Sequence, residues 1–117
     1  MPAYSPHELQ TMVAAAVSSG DLDTFMALQE PGAVHNLRGE ALVGADAIRQ
    51  HIAPAIGTLS DFRLEVKQVI EAGDIALIHT RFGMAGPTQT SGRGANVARR
   101  QPDGTWRLVI HHDLGTD

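Results

Sequence analysis

Apolar residues recur along this chain with two different periods. Leu9, Met12, Val13, Ala16 and Val17 fall at i, i+3, i+4, i+7 and i+8, which is one apolar stripe of a helix. Ser5-Pro6-His7-Glu8 marks its start: Ser at the N-cap, Pro at the first helical position and Glu at the third form a capping box. Gly20 supplies the stop. Asp21 caps a second, short helix whose Leu22, Phe25 and Met26 share a face, and Pro31-Gly32 ends it. Residues 33–37 read as a short strand, with a further small strand around Glu40–Val43. Gly44-Ala45-Asp46 opens a third helix in which Ile48, Ile52 and Ile56 fall four residues apart. Pro54 lies inside that pattern, removes one backbone hydrogen bond and predicts a kink or an early end.

From Asp61 onward the period is two. Phe62, Leu64 and Val66 alternate with Arg63, Glu65 and Lys67, so this strand has a dry and a wet face. Ala72-Gly73-Asp74 is a tight turn into Ile75–Met84, a strand apolar on both sides in its first half, as a central strand would be. Residues 83–92, with Pro87 among Thr, Ser and Gln, read as a mobile hairpin loop. Residues 93–100 form a strand, Gln101-Pro102-Asp103-Gly104 a turn, and residues 106–113 the last strand. Helices early and a four-stranded antiparallel meander late predict an α+β fold, in which a curved sheet wraps a long helix as a cone with an open mouth.

Composition narrows the chemistry. The 117 residues carry 9 Lys+Arg against 13 Asp+Glu, a formal charge of −4, with 6 His and no Cys. That length suits one domain spanning residues 1–117. Without cysteine there is no disulfide, no thiolate nucleophile and no Cys-ligated metal. The acidic balance, with only Tyr4, Phe25, Phe62, Phe82 and Trp106 to stack on bases, argues against a nucleic-acid partner. No apolar run approaches a bilayer span and no secretory signal is visible, so a cytoplasmic location without a membrane partner is the default expectation.

Four motifs resemble, in order, signatures of the nuclear transport factor 2-like superfamily in its SnoaL-like and ketosteroid-isomerase-like branch. They are Gly20-Asp21-Leu22, the run from Gly44 to Arg49, the run from Ala72 to Leu77, and the run from Val97 to Arg107. The resemblance covers nearly the whole chain and implies a cystatin-like cone with a pocket, pairing as a homodimer through the outer face of its sheet. The family spans isomerases, cyclases, dehydratases, epoxide hydrolases and members without a known reaction, so fold alone cannot name the activity. The steroid isomerases' carboxylate base, tyrosine donor and protonated aspartate would fall on Leu37, Val13 and Asn96. None of these carries the required group, and steroid isomerisation is rejected.

Histidine is the chemistry that remains. Imidazole titrates near neutral pH, and His35, His51, His79, His111 and His112 lie in elements expected to line or border the cone. Adjacent strand residues face opposite ways, so His111 and His112 cannot both point inward. Position six after Trp106 often carries a pocket residue in the family, which favours His112. His35 is in phase with Leu37, and His79 with Leu77. His35, His79 and His112 are therefore the candidate titrating groups, with Asn96 as a neutral donor to developing negative charge. Val13, Leu37, Ile52, Leu77, Trp106 and Ile110 are expected to line the pocket.

The reaction expected is cofactor-free acid–base isomerisation, cyclisation or dehydration of a small apolar or carbonyl-containing molecule. The rival reading is a non-catalytic binding or dimerisation module, because a histidine on a half-buried strand is more often a hydrogen-bonded core or interface residue. A metal site is not expected, since no His-x-His pair or His-Glu-x-x-His helix occurs. Ser60 and Ser91 lack the turn that would make a serine nucleophile.

Overall fold

The computed structural model describes residues 2–37, 39–59, 61–84 and 90–116. Helix α1 (Pro6–Ser19) begins where its capping box puts it: Ser5 Oγ accepts the Glu8 amide at 3.0 Å, and the Glu8 carboxylate accepts the Tyr4 amide at 2.8 Å. Gly20 closes it in the left-handed region at φ 75°. Asp21 caps α2 (Leu22–Ala27), accepting from the Thr24 amide at 3.1 Å and its hydroxyl at 2.7 Å. Then follow β1 (Gln29–Leu37), β2 (Glu40–Val43), α3 (Ala45–Ile56), β3 (Arg63–Ala72), β4 (Ile75–Met84), β5 (Thr90–Arg100) and β6 (Trp106–Thr116). The strands form one curved sheet in the order β2-β1-β6-β5-β4-β3, antiparallel throughout except for the parallel pair β1–β6.

Several elements run further than the sequence pattern predicts. Strand β1 starts at Gln29, not at residue 33. Pro31 and Gly32 pass through it as an irregularity, with Gln29 opposite Leu108 and Val34 already opposite Ile110. Helix α3 continues through Pro54 to Ile56, because Ile48 and Ile56 are both buried in the core and outweigh one missing backbone bond. Strands β4 and β5 extend to Met84 and from Thr90, well into the stretch read as a hairpin loop; residues 85–89 of that stretch lie outside the described residues.

Curvature comes from extra residues in single strands. In β3, Val66 faces Thr80 and Gln68 faces His79, so Lys67 is a bulge. In β6, Leu108 faces Ala98 and Ile110 faces Val97, which makes Val109 a second. A third lies between Asp113 and Thr116, where Gly115 has φ 104°. Each bulge bends its strand and increases its twist, and the sheet folds over the helices. Leu9, Val13, Ala16 and Val17 of α1, Phe25 of α2 and Ile48 of α3 meet Ala76, Ile78, Ala98 and Leu108 in one core. Ser18 Oγ donates to the Phe62 carbonyl at 2.8 Å and ties the end of α1 to the entry of β3.

The inner face of β5 is nearly bare, with Gly92, Gly94 and Ala98 around Asn96. Gly92 pairs with Phe82 across the ladder, and a Cβ built there would run into the Phe82 ring and the Gly115 carbonyl. Gly92→Ala is therefore expected to lose about 1–3 kcal/mol by overpacking. Gly32→Ala, which meets nothing within 4 Å, should melt like the wild type in the same thermal-denaturation experiment.

Candidate functional site

Helices and sheet enclose an open cavity of about 570 Å³. Its mouth is marked by the exposed Glu40 and His51, and its depth by the buried Gln10, Phe25, Asn96 and Leu108. The wall is mostly apolar: Val13 and Val17 of α1, Ile48, Ile52 and Ala55 of α3, and Phe62, Phe82 and Met84. The Phe62 and Phe82 rings stack with centroids 6.5 Å apart. The charged residues among the described lining, Glu40 and Asp113, are both acidic.

A polar belt crosses this wall. Buried His35 shares its Nε2 with Gln29 Oε1 at 2.9 Å, and Gln29 Nε2 donates to the Phe25 carbonyl at 3.5 Å. A carboxamide oxygen only accepts, so the His35 Nε2 carries the proton. His111 Nδ1 likewise donates to Asn96 Oδ1 at 2.8 Å, which leaves Nε2 of His111 with its lone pair. The two imidazoles lie 4.9 Å apart, inclined at 52°. Burial, helped by repulsion from His111 and His51, depresses the His35 pKa to about 3. Burial also lowers His111, against the opposing pull of the Asp113 carboxylate. Both rings are neutral at pH 7, and two charged imidazoles at this spacing would repel strongly.

Of the residues singled out from sequence, His35, Asn96, Val13, Leu37 and Ile52 border the cavity. His79 and Leu77 do not: Ala76, Ile78 and Thr80 occupy the inner face of β4, which turns the odd-numbered residues outward. His112 and Ile110 also lie outside, His112 accepting from Asn36 Nδ2 at 3.0 Å. The alternation that begins with Trp106 and Leu108 inward is reset by the Val109 bulge, so His111 and Asp113 take the inner places. Trp106 is buried at the end of the sheet, with the Arg100 guanidinium 5.9 Å above its ring, and borders a separate small cleft beside Ala3.

The sequence pattern did not single out Gln10 or Thr80, and the parity argument that favoured His112 put His111 and Asp113 on the other face. Gln10 carried a signal, since it lies three residues before Val13 on the apolar stripe. The Val109 bulge carried none. Among the described residues, no three His, Asp or Glu side chains converge as a metal site needs.

The depressed His35 fixes a pH dependence. The unfolded chain takes up a proton near 6.5 and the folded one only near 3, so stability contributed by neutral His35 is complete above 6.5 and is lost as pH falls through that window. Between pH 6.5 and about 4.5 this amounts to roughly 2 kcal/mol. Urea titrations should show a shallower acid loss in His35→Leu than in the wild type.

The sequence profile of the SnoaL-like domain matches residues 9–109. Among curated proteins no sequence relative is found. Many solved structures share the fold, and three of them illustrate its range. A candidate calcium/calmodulin-dependent protein kinase type II association domain from Thiobacillus denitrificans is 25% identical, with TM-score 0.78, covering 97% of each chain. A candidate dehydratase of the NTF2-like family from Streptomyces avermitilis is 21% identical, with TM-score 0.76, covering 90% of this chain and 89% of that one. A ketosteroid isomerase-like protein from Erwinia carotovora atroseptica is 15% identical, with TM-score 0.74, covering 92% of both. No helix among the described residues is long and apolar enough to cross a membrane. With a curved six-stranded sheet closed over its helices and a profile match across most of its length, the chain belongs to the SnoaL-like domain family, on the nuclear transport factor 2-like fold.

Proposed function

We propose that this chain binds a small, mainly apolar carbonyl compound and moves a proton on it by cofactor-free acid–base chemistry, the class to which isomerases and dehydratases belong. The observation that carries the reading is His111: a neutral imidazole on the cavity wall, its Nδ1–H committed to Asn96 and its Nε2 free to take a proton. The neighbouring Asp113 carboxylate stabilises the imidazolium that this transfer creates. Asn96 then acts as a positioning residue, fixing the tautomer, and is not the donor to substrate expected from its place in the strand. His35, turned onto Gln29 and held neutral, supports the wall.

Incubation with cyclic enones and hydroxy-ketones in D₂O tests this. The expected result is deuterium uptake at the carbon beside the carbonyl, followed by NMR and reduced roughly 100-fold or more in His111→Gln, with binding retained. Ligands that bind the wild type without exchange above buffer would leave a carrier in place of an enzyme.

The reading includes pairing of two copies through the sheet. Ile70, Leu77, Val97, Ile110, Val34 and Val43 are successive cross-strand partners, one apolar row over all six strands of the outer face. Ile70, Leu77, Ile110 and Val43 are exposed at 49%, 36%, 40% and 69%, a continuous apolar surface of the kind that marks an interface. The similar Thiobacillus protein is described as an association domain, which supports assembly without catalysis as the second reading. Light scattering should give a dimer mass for the wild type and a monomer mass for Leu77→Glu at unchanged circular dichroism.

A further inference from the structure

We propose that Gln10 anchors the ligand, and that the ligand is an uncharged molecule whose buried end carries a hydrogen-bond donor beside an acceptor, as a carboxamide or lactam does. The inference rests on the small-molecule reading above and specifies what the cavity takes.

Gln10 has no surface exposed to water, and neither its Oε1 nor its Nε2 meets a hydrogen-bond partner in the protein. It borders the cavity on the same line of α1 as Val13 and Val17, one turn and two turns further on. Several other polar groups of the wall have partners within the protein: His35 with Gln29, His111 through its Nδ1 with Asn96, and the Thr80 hydroxyl with the Gly94 carbonyl at 3.4 Å. Asp113 Oδ1 accepts the Gly115 amide at 2.7 Å. A buried carboxamide with nothing to bond destabilises the empty protein, and a neutral apolar residue of the same shape would pack there without that loss. What the carboxamide offers is an acceptor and a donor side by side, and two bonds form at once with a partner that presents the same pair in reverse.

Charge and position define the rest. Glu40 and Asp113 are the charged residues of the described lining, so an anion entering the cavity meets repulsion and no guanidinium or ammonium. A cation is drawn to Glu40 at the exposed mouth or to Asp113 beside His111, and Gln10 offers it no charge. The N-terminal end of α1 is tied to the closed end of the sheet, where the Trp106 amide donates to the Ala3 carbonyl at 2.8 Å. The opposite end of α1 is tied to Phe62. The polar head of the ligand therefore lies deep, with its apolar body between the phenylalanines and α3.

Three probes of one shape test this: 2-naphthamide, methyl 2-naphthoate and 2-naphthoate. By calorimetry at neutral pH the wild type should bind the amide about tenfold or more tightly than the ester, which lacks the donor, and the carboxylate most weakly. The side-chain amide resonances of Gln10 should shift with 2-naphthamide. Gln10→Met should erase the difference between amide and ester, and should melt at a higher temperature than the wild type when unliganded. If amide and ester bind the wild type equally and the Gln10 resonances stay in place, the anchor is wrong while the cavity reading stands. Tightest binding by the carboxylate would also overturn the proposal. Binding by none of the three would overturn both.

Discussion

A β-strand alternates its side chains strictly, so a strand that must bury an indole at one end and present an imidazole at the other has to break step between them. Strand β6 breaks step at Val109. Before it, Trp106 and Leu108 seal the core; after it, His111 and Asp113 face the hollow. Without the additional residue, Asn96 would lie opposite Ile110, and the interior would receive an isoleucine in place of its hydrogen-bonded histidine. The same residue completes the outer surface, since Ile110 then stands level with Val97 and Val34. One bulge assigns the wall of the cavity and the apolar row behind it.

Interiors are normally filled to crystal-like density; on β5 the small Gly92 and Gly94 admit the Phe82 ring and the Thr80 hydroxyl of β4, and Gly94 and Asn96 border the cavity. Polar groups placed in such a space need partners. His35 and His111 find theirs in Gln29 and Asn96, and those bonds select the tautomers while burial keeps the rings uncharged. A buried neutral histidine has a lone pair at physiological pH, so the condition that satisfies packing also leaves a proton acceptor on the wall.

Much of this was legible in the chain because much of it is local. Ser5 and Asp21 cap helices within three residues of themselves, Gly20 ends one, and Ala72-Gly73-Asp74 turns one strand onto the next. The face of β3 around Phe62 and Leu64 followed from simple alternation. What escaped depends on contacts distant in sequence. The start of β1 at Gln29 depends on its parallel partner in β6, against which Pro31 and Gly32 can be tolerated. The faces of His79 and His112 depended on which side of a doubly apolar strand meets the helices, and on a bulge that no glycine or proline announces. Gln10 was hidden by the opposite error: the apolar residues around it made the stripe convincing, and the one polar member was passed over.

Helix α3 forms one side of the cavity with Ile48, Ile52 and Ala55 and carries Pro54 within its last turns. Proline has no amide hydrogen, so the Gln50 carbonyl lacks its ordinary helical donor, and the tie from α3 to α2 on this side is an exposed Arg49–Asp23 pair at 3.5 Å. The sheet opposite is held by backbone ladders between every pair of neighbouring strands. Of the two walls, the helical one carries a turn that lacks a backbone hydrogen bond, and it is the burial of Ile48 and Ile56, not its own ladder, that keeps that side of the cavity in place.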